Sequence, residues 1–246
     1  LFRSYSDMLT QTEVLLDSAV IADDGTFSLG FYATYPRLVF IQAECYSQSF
    51  YVEPGRRYEI YLPPFDWDIA DRRNVYLDPV TLPLRFLNVD SSELNLRILR
   101  FDETVDSFLA ANRYRLDFRF RPDRRAFGEL ETLVKSRFGE GDETFFDRYV
   151  RFRMLGMRLA MRIDSRKRLA SRYVVDAPVL YYDENYMQFF FDLFAHTISS
   201  GTRRVGQHRL AWWVEEGDFA MYMDSVGLDP LLANEQVREL AVLEAL

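Results

Sequence analysis

The residues equipped for bond-making chemistry are few. Cys45 is the single cysteine, and His196 and His208 are the only histidines. A thiolate nucleophile needs an adjacent histidine or a helix N-terminus. Cys45 ends an apolar, strand-like stretch (residues 39–45) with no histidine near it in sequence, so it reads as a buried structural thiol. One cysteine also rules out an internal disulfide and a Cys-x-x-Cys motif. The histidines are not spaced i, i+4 and no H-E-x-x-H occurs; His196, in an aromatic helical stretch, reads as packed or hydrogen-bonded. Asp66, Asp68 and Asp71 are close enough in a loop to hold Ca²⁺, but their spacing departs from the EF-hand pattern and suits a solvated loop. No G-x-S-x-G, P-loop or G-x-G-x-x-G is present. A hydrolase with paired carboxylates would need two acids facing across a cleft, and no motif anchors such a pair. No catalytic, cofactor-binding or metal-ligating residue is predicted.

Two groups invite a binding role instead. Residues 162–172 (RIDSRKRLASR) are the one basic cluster. On a helix they form an exposed face paired with neighbouring acids; an anion or partner site is the other reading. Trp67, Trp212, Trp213 and the many tyrosines have the ring faces to stack on sugars, although aromatics at core spacing also simply pack. Of 30 Lys+Arg, all but Lys135 and Lys167 are arginine, facing 38 acidic residues. Arginine suits bidentate carboxylate pairing, so intramolecular ion pairs absorb most of this charge. A net charge of −8 and a pI near 5.0 argue against nucleic acid or an anionic membrane as partner.

The elements that must position these residues follow from hydropathy patterning. Hydrophobic content of 48% supplies real cores, and no apolar run approaches the roughly 20 residues of a membrane span. In the first third, Val14, Leu16 and Val20 share a parity, residues 23–25 (DDG) signal a turn, and residues 26–31 alternate with Phe27, Leu29 and Phe31 inward. Residues 38–43 (LVFIQA) suit a central strand covered on both faces. Residues 51–62 (YVEPGRRYEIYL) read as a hairpin: Pro54 and Gly55 fit a type II turn, and Tyr58, Ile60 and Leu62 share one face. Residues 75–77 and 82–89 supply the last strands.

At Asp90 the period changes to that of helices. Residues 90–93 offer caps, then Leu94, Ile98, Phe101, Val105 and Phe108 form a seam. Pro122 opens a second helix with the seam Phe127, Leu130, Val134 and Phe138, stopped by Gly139 or Gly141. Asp142 caps a third with two seams, one through Tyr149, Phe152 and Leu155, the other through Phe146, Val150 and Met157. Residues 184–198 are apolar nearly all round and predict the central helix. Residues 210–226 and 230–246 complete the set, with Gly217 and Gly227 as breaks.

The ordered segments LLDSAVIADDGTFSL, YVEPGRRYEIYLP, SSELNLRILRFDETVDSFL and DPLLANEQVREL together resemble a family of exported proteins of Gram-negative gut anaerobes. In that family a small β-domain and a helical region precede a thioredoxin-like domain of the thiol-disulfide oxidoreductase type. The resemblance implies export to the periplasm or cell surface, a lipid anchor on a removed N-terminal segment, and a catalytic Cys-x-x-Cys beyond Leu246. No catalytic residue carries over onto this chain.

The expectation is an α+β, two-domain protein: an antiparallel β-sandwich over residues 1–89 and an all-α bundle over residues 90–246, truncated before a thioredoxin-like domain. Its expected role is a non-catalytic accessory module, with no cofactor, whose partner is a protein or its own downstream domain. A cell-surface module for carbohydrate or peptide uptake is the alternative.

Overall fold

Residues 37–43 (RLVFIQA) put β-branched and aromatic side chains on both faces of one strand, and the N-terminal sheet is assembled on it. The computed structural model describes residues 1–43, 46–64, 80–81, 84–116, 123–141, 143–195, 197–198 and 204–245. Two compact units divide between Arg100 and Phe101, inside the first helix. The chain is α+β.

In the first unit, β1 (Phe2–Tyr5), β2 (Glu13–Asp17), β3 (Arg37–Ala43), β4 (Tyr46–Val52) and β6 (Val80–Thr81) form a sheet in the order β2-β1-β3-β4-β6. β3 is its middle strand, as expected, with Val39 and Ile41 buried and Leu38 and Phe40 half-buried on the other face. The sheet is mixed, not wholly antiparallel, because β6 runs parallel to β4. A separate two-stranded antiparallel ladder joins β5 (Ile60–Tyr61) to β7 (Arg85–Phe86).

Three strand expectations are corrected. The turn at residues 53–56 forms, with the Arg56 N–H donating to Glu53 O at 3.3 Å and Gly55 at φ 69°. Yet it does not close a hairpin: β4 pairs with β3, and β5 with β7. Residues 26–31 keep their alternation, Phe27, Leu29 and Phe31 half-buried and their neighbours exposed, but join no ladder. Val20 does not continue the parity of β2; it is exposed. The core beneath is Phe2, Val39, Ile41, Tyr46, Phe50 and Val52, against which Phe27, Leu29, Phe31, Tyr58, Ile60 and Phe86 pack.

Beyond its pairing with β6, the outer edge of β4 is engaged at Tyr51 by one side chain. Asn95, near the start of α1 (Leu94–Ala111), accepts from the Tyr51 N–H at 2.7 Å and donates to Tyr51 O at 2.8 Å. Its amide also donates to Glu93 Oε1 at 2.6 Å. The other Glu93 oxygen accepts from the Leu96 N–H at 3.0 Å, so this fully buried carboxylate caps the helix.

The second unit contains the rest of α1, then α2 (Arg124–Phe138), α3 (Phe145–Ala160), α4 (Arg166–Tyr173), α5 (Glu184–Phe194), α6 (Gln207–Glu215), α7 (Phe219–Gly227) and α8 (Glu235–Ala245). The seams of α1 and α2 are buried as the periodicity predicts, apart from half-buried Phe108 and Phe138. Gly139 ends α2 at φ 82°. α3 starts on Thr144, with Asp147 completing a capping box. Of its two seams, Tyr149, Phe152, Leu155 and Phe146 are buried, whereas Val150 and Met157 are half-buried. α5 contacts α3, α4 and α8 and buries Tyr186, Met187, Phe189, Phe190, Leu193 and Phe194, which makes it the unit's central helix. Gly217, at φ 70°, separates α6 from α7 within residues 210–226.

Two buried polar groups make testable statements. The Tyr186 hydroxyl is enclosed without a hydrogen-bond partner among the described residues. Such a group costs about 1–3 kcal/mol of desolvation, so Tyr186→Phe is expected to raise stability by about 1 kcal/mol. The measurement is an upward shift of the urea midpoint at unchanged slope; a comparable loss would show that the hydroxyl is bonded after all.

The Tyr149 hydroxyl donates to Asp102 Oδ2 at 2.8 Å, and Arg153 lies 3.9 Å from Oδ1. Burial nevertheless raises the Asp102 carboxyl above its ordinary 3.8, against the Tyr149 hydrogen bond and Arg153. The folded form therefore holds this proton more tightly than the unfolded form. Its stabilising contribution is complete below the unfolded value and is lost as pH rises through the folded one. Asp102→Asn keeps an acceptor for Tyr149 and removes the titration. It is expected to be more stable than the parent near neutral pH, by a margin that shrinks as pH falls, read by urea unfolding between about pH 4 and pH 7.

Candidate functional site

A cleft opens on the face of the first sheet between residues 26–31, which carry no strand assignment, and residues 57–60, which lead into β5. Its volume is about 710 Å³. The floor is apolar: Phe2 from β1, Ile41 from β3, and Phe50 and Val52 from β4. One wall is residues 25–31, the other Glu53 and residues 55–60. Edge-to-face rings stiffen both walls, Phe31 against Phe2 at 5.3 Å and Tyr58 against Phe50 at 6.2 Å.

Polar contacts fix the course of both walls. Asp17 Oδ2 accepts from the Gly30 N–H at 2.7 Å, and the Gly30 and Ser18 N–H groups hold the Asp17 carboxyl below its usual range. The Tyr58 hydroxyl accepts from the Glu53 N–H at 3.0 Å, and burial pushes its phenol up. On the rim Arg56 pairs with Glu53 at 2.6 Å, while Arg57 reaches Glu59 only at 3.9 Å with 87% of its side chain exposed. An apolar floor with a charged, open rim binds a ligand by burial and orients it by polar contacts.

A second cleft, of about 690 Å³, lies among α2, α3 and α4. Arg158 dominates it, with Nε donating to Glu131 Oε1 and Nη2 to Oε2, both at 2.7 Å. Arg158 also pairs with Asp164 and lies 5.5 Å from the Phe127 ring centroid. Asp164 further pairs with Arg168 at 3.2 Å. Within the basic cluster of residues 162–172, Arg168 is thus paired with an acid, and Arg166 donates to Ala195 O at 2.9 Å.

Of the other residues singled out by sequence, Cys45, Asp66, Trp67, Asp68, Asp71, Pro122, Asp142 and His196 lie outside the described residues, as do residues 75–77. His208 is exposed in the first turn of α6. Trp212 is 48% exposed with its ring 4.3 Å from that of Trp213, and neither lines the two clefts. The indole N–H of Trp213 is buried without a partner among the described residues. No group of three or more His, Cys, Asp or Glu is placed to hold a metal ion among the described residues. No helix there is long and apolar enough to cross a membrane.

Sequence reasoning misses the first cleft, although it finds both walls. The alternation of residues 26–31 and 58–62 is visible in the sequence; the missing ladder between them is not. Comparison with protein-family models, curated proteins and solved structures returns no match for this chain. The geometry of the cleft is therefore the main guide to function.

Proposed function

We propose that the chain is a non-catalytic interaction module of an exported thioredoxin-like protein, made of a β-sandwich followed by a helical bundle. The observation that carries this reading is the open cleft on the β unit, whose floor of Phe2, Ile41, Phe50 and Val52 suits recognition by burial. The DGTF and YVEPG turns and the terminal NEQVRELAVLEAL segment support the family context. The partner is a protein or a thioredoxin-like domain downstream, and the site of action is the periplasm or cell surface, reached through a lipid anchor on a preceding segment. Sequencing the source gene through both ends tests this. An upstream lipoprotein signal and a downstream frame with Cys-x-x-Cys are expected; a stop codon directly after Leu246 without an export signal overturns it.

The second reading, a cell-surface module for carbohydrate or peptide uptake, rests on the exposed Trp212 beside Trp213. It predicts that oligosaccharides change the tryptophan fluorescence and that Trp212→Ala removes the change. Unchanged fluorescence at saturating sugar would discard it.

A further inference from the structure

We infer that the β-unit cleft takes an extended peptide strand from a partner protein, inserted between residues 26–31 and β5. The inference deepens the interaction-module reading and rests on it. Three independent features of the cleft support it.

The first is the direction of the backbone. The Leu87 N–H donates to Glu59 O at 2.8 Å, so in the antiparallel β5–β7 ladder Glu59 and Tyr61 face β7. The N–H and C=O groups of Tyr58, Ile60 and Leu62 then point to the opposite edge, and Tyr58 and Ile60 line the cleft. On the facing wall, Thr26 O accepts from the Ala22 N–H at 2.9 Å and the Gly30 N–H goes to Asp17. Thr26 and Gly30 are thus engaged on one edge, and strand alternation places the N–H and C=O groups of Phe27, Leu29 and Phe31 on the other. Among the described residues no hydrogen bond reaches any of these six N–H groups. Two facing rows of unengaged strand edge are the template that strand addition completes.

The second feature is size. Five residues at a rise of about 3.3 Å, a strand spacing of about 4.8 Å and a layer thickness of about 10 Å occupy about 800 Å³. The cleft measures about 710 Å³. The two volumes are of the same scale, that of one short strand.

The third feature is chemical patterning across the two faces. Alternate side chains of the guest point down onto Phe2, Ile41, Phe50 and Val52, so these positions are apolar. The intervening side chains point outward beside Arg57, whose exposed guanidinium is held only at 3.9 Å by Glu59. An acidic residue there makes the complementary cross-strand pair. The guest is therefore an extended segment in which apolar residues alternate with acidic or small polar ones.

The test titrates the 246-residue chain with an acetylated, amidated heptapeptide, Thr-Val-Glu-Val-Glu-Val-Thr, following heat and amide hydrogen exchange. Saturable binding is expected, with exchange at Phe27, Leu29, Phe31, Tyr58, Ile60 and Leu62 slowed at least about tenfold. The same peptide N-methylated at alternate backbone nitrogens keeps every side chain and is expected to bind at least about tenfold more weakly. Arg57→Glu is expected to weaken the peptide about threefold and to leave its glutamine counterpart unaffected. No binding at about 1 mM peptide overturns the inference. Binding that ignores N-methylation and protects none of the six amides also overturns it, since only side chains would then be recognised. Concentration-dependent self-association that protects the same amides without peptide overturns it in favour of a second copy as the occupant. Peptide failure leaves the gene-context result standing, and a missing downstream frame leaves the peptide result standing, so the two readings fail separately.

Discussion

Phe190→Ala is expected to lose about 4 kcal/mol of stability. Phe190 is fully buried on α5, with ring centroids of Phe194, Tyr186 and Phe191 at 4.7, 6.1 and 6.2 Å. Truncation removes the transfer free energy of a whole ring and leaves a cavity. That cavity is slow to collapse, because α5 packs against α3, α4 and α8 and its neighbours cannot move independently. Phe190→Leu keeps most of the volume and is expected to cost less than about 1.5 kcal/mol. Urea unfolding monitored by far-ultraviolet circular dichroism reads both values. A loss below about 1.5 kcal/mol for the alanine variant would show that α5 is not the hub of the helical unit.

Asn95→Leu is expected to cost about 3 kcal/mol, by a different mechanism. The side chain is about the right size for leucine, so little volume changes. What is lost is the partner of three groups at once: the Tyr51 N–H, Tyr51 O and the buried Glu93 carboxylate. Each buried polar group left unpaired costs roughly 1–3 kcal/mol, partly relieved where solvent reaches it. Adding Glu93→Gln to the leucine variant is expected to recover about 1 kcal/mol, since it removes an uncompensated buried charge and retains a carbonyl acceptor for the Leu96 N–H. A double-mutant cycle separates the two contributions. Additive costs would mean that Asn95 and Glu93 act independently. The same cycle bears on the cleft, because Tyr51 lies between Phe50 and Val52 of its floor. Loosening β4 at Tyr51 is expected to weaken peptide binding along with stability.

The helical half is largely legible in the sequence. Apolar residues three and four apart mark the buried stripe of α1 through Leu94, Ile98, Phe101 and Val105, and that of α2 through Phe127, Leu130 and Val134. The stops at Gly139 and Gly217 are equally visible, because positive φ is a local demand that glycine meets at little cost. For the start of α3, the sequence points to Asp142, whereas Thr144 and Asp147 form the cap. Several acids and hydroxyls in residues 142–147 are competent, and the reciprocal hydrogen bonds select one pair. The ion pairs of Arg158 are not legible in the sequence. Its bidentate partner Glu131 stands 27 residues away, on α2.

In the β half, local chemistry determines which side chains turn inward and where the chain turns. Phe27, Leu29, Phe31, Tyr58 and Ile60 all lie against the core as their alternation requires, and the chain turns at Pro54-Gly55 as those two residues dictate. Side-chain direction has a period of two residues and is a property of one strand alone. Ladder partners are different: they are chosen between segments far apart in sequence, by which pairing buries the most and leaves the fewest polar groups unengaged. β5 therefore pairs with β7 and not across its own turn, β6 runs parallel to β4, and residues 26–31 keep an inward face without a neighbour. The cleft is the space left by that choice of partners, so it exists only in the folded chain, where two alternating segments separated in sequence by β3 and β4 stand over a single apolar floor.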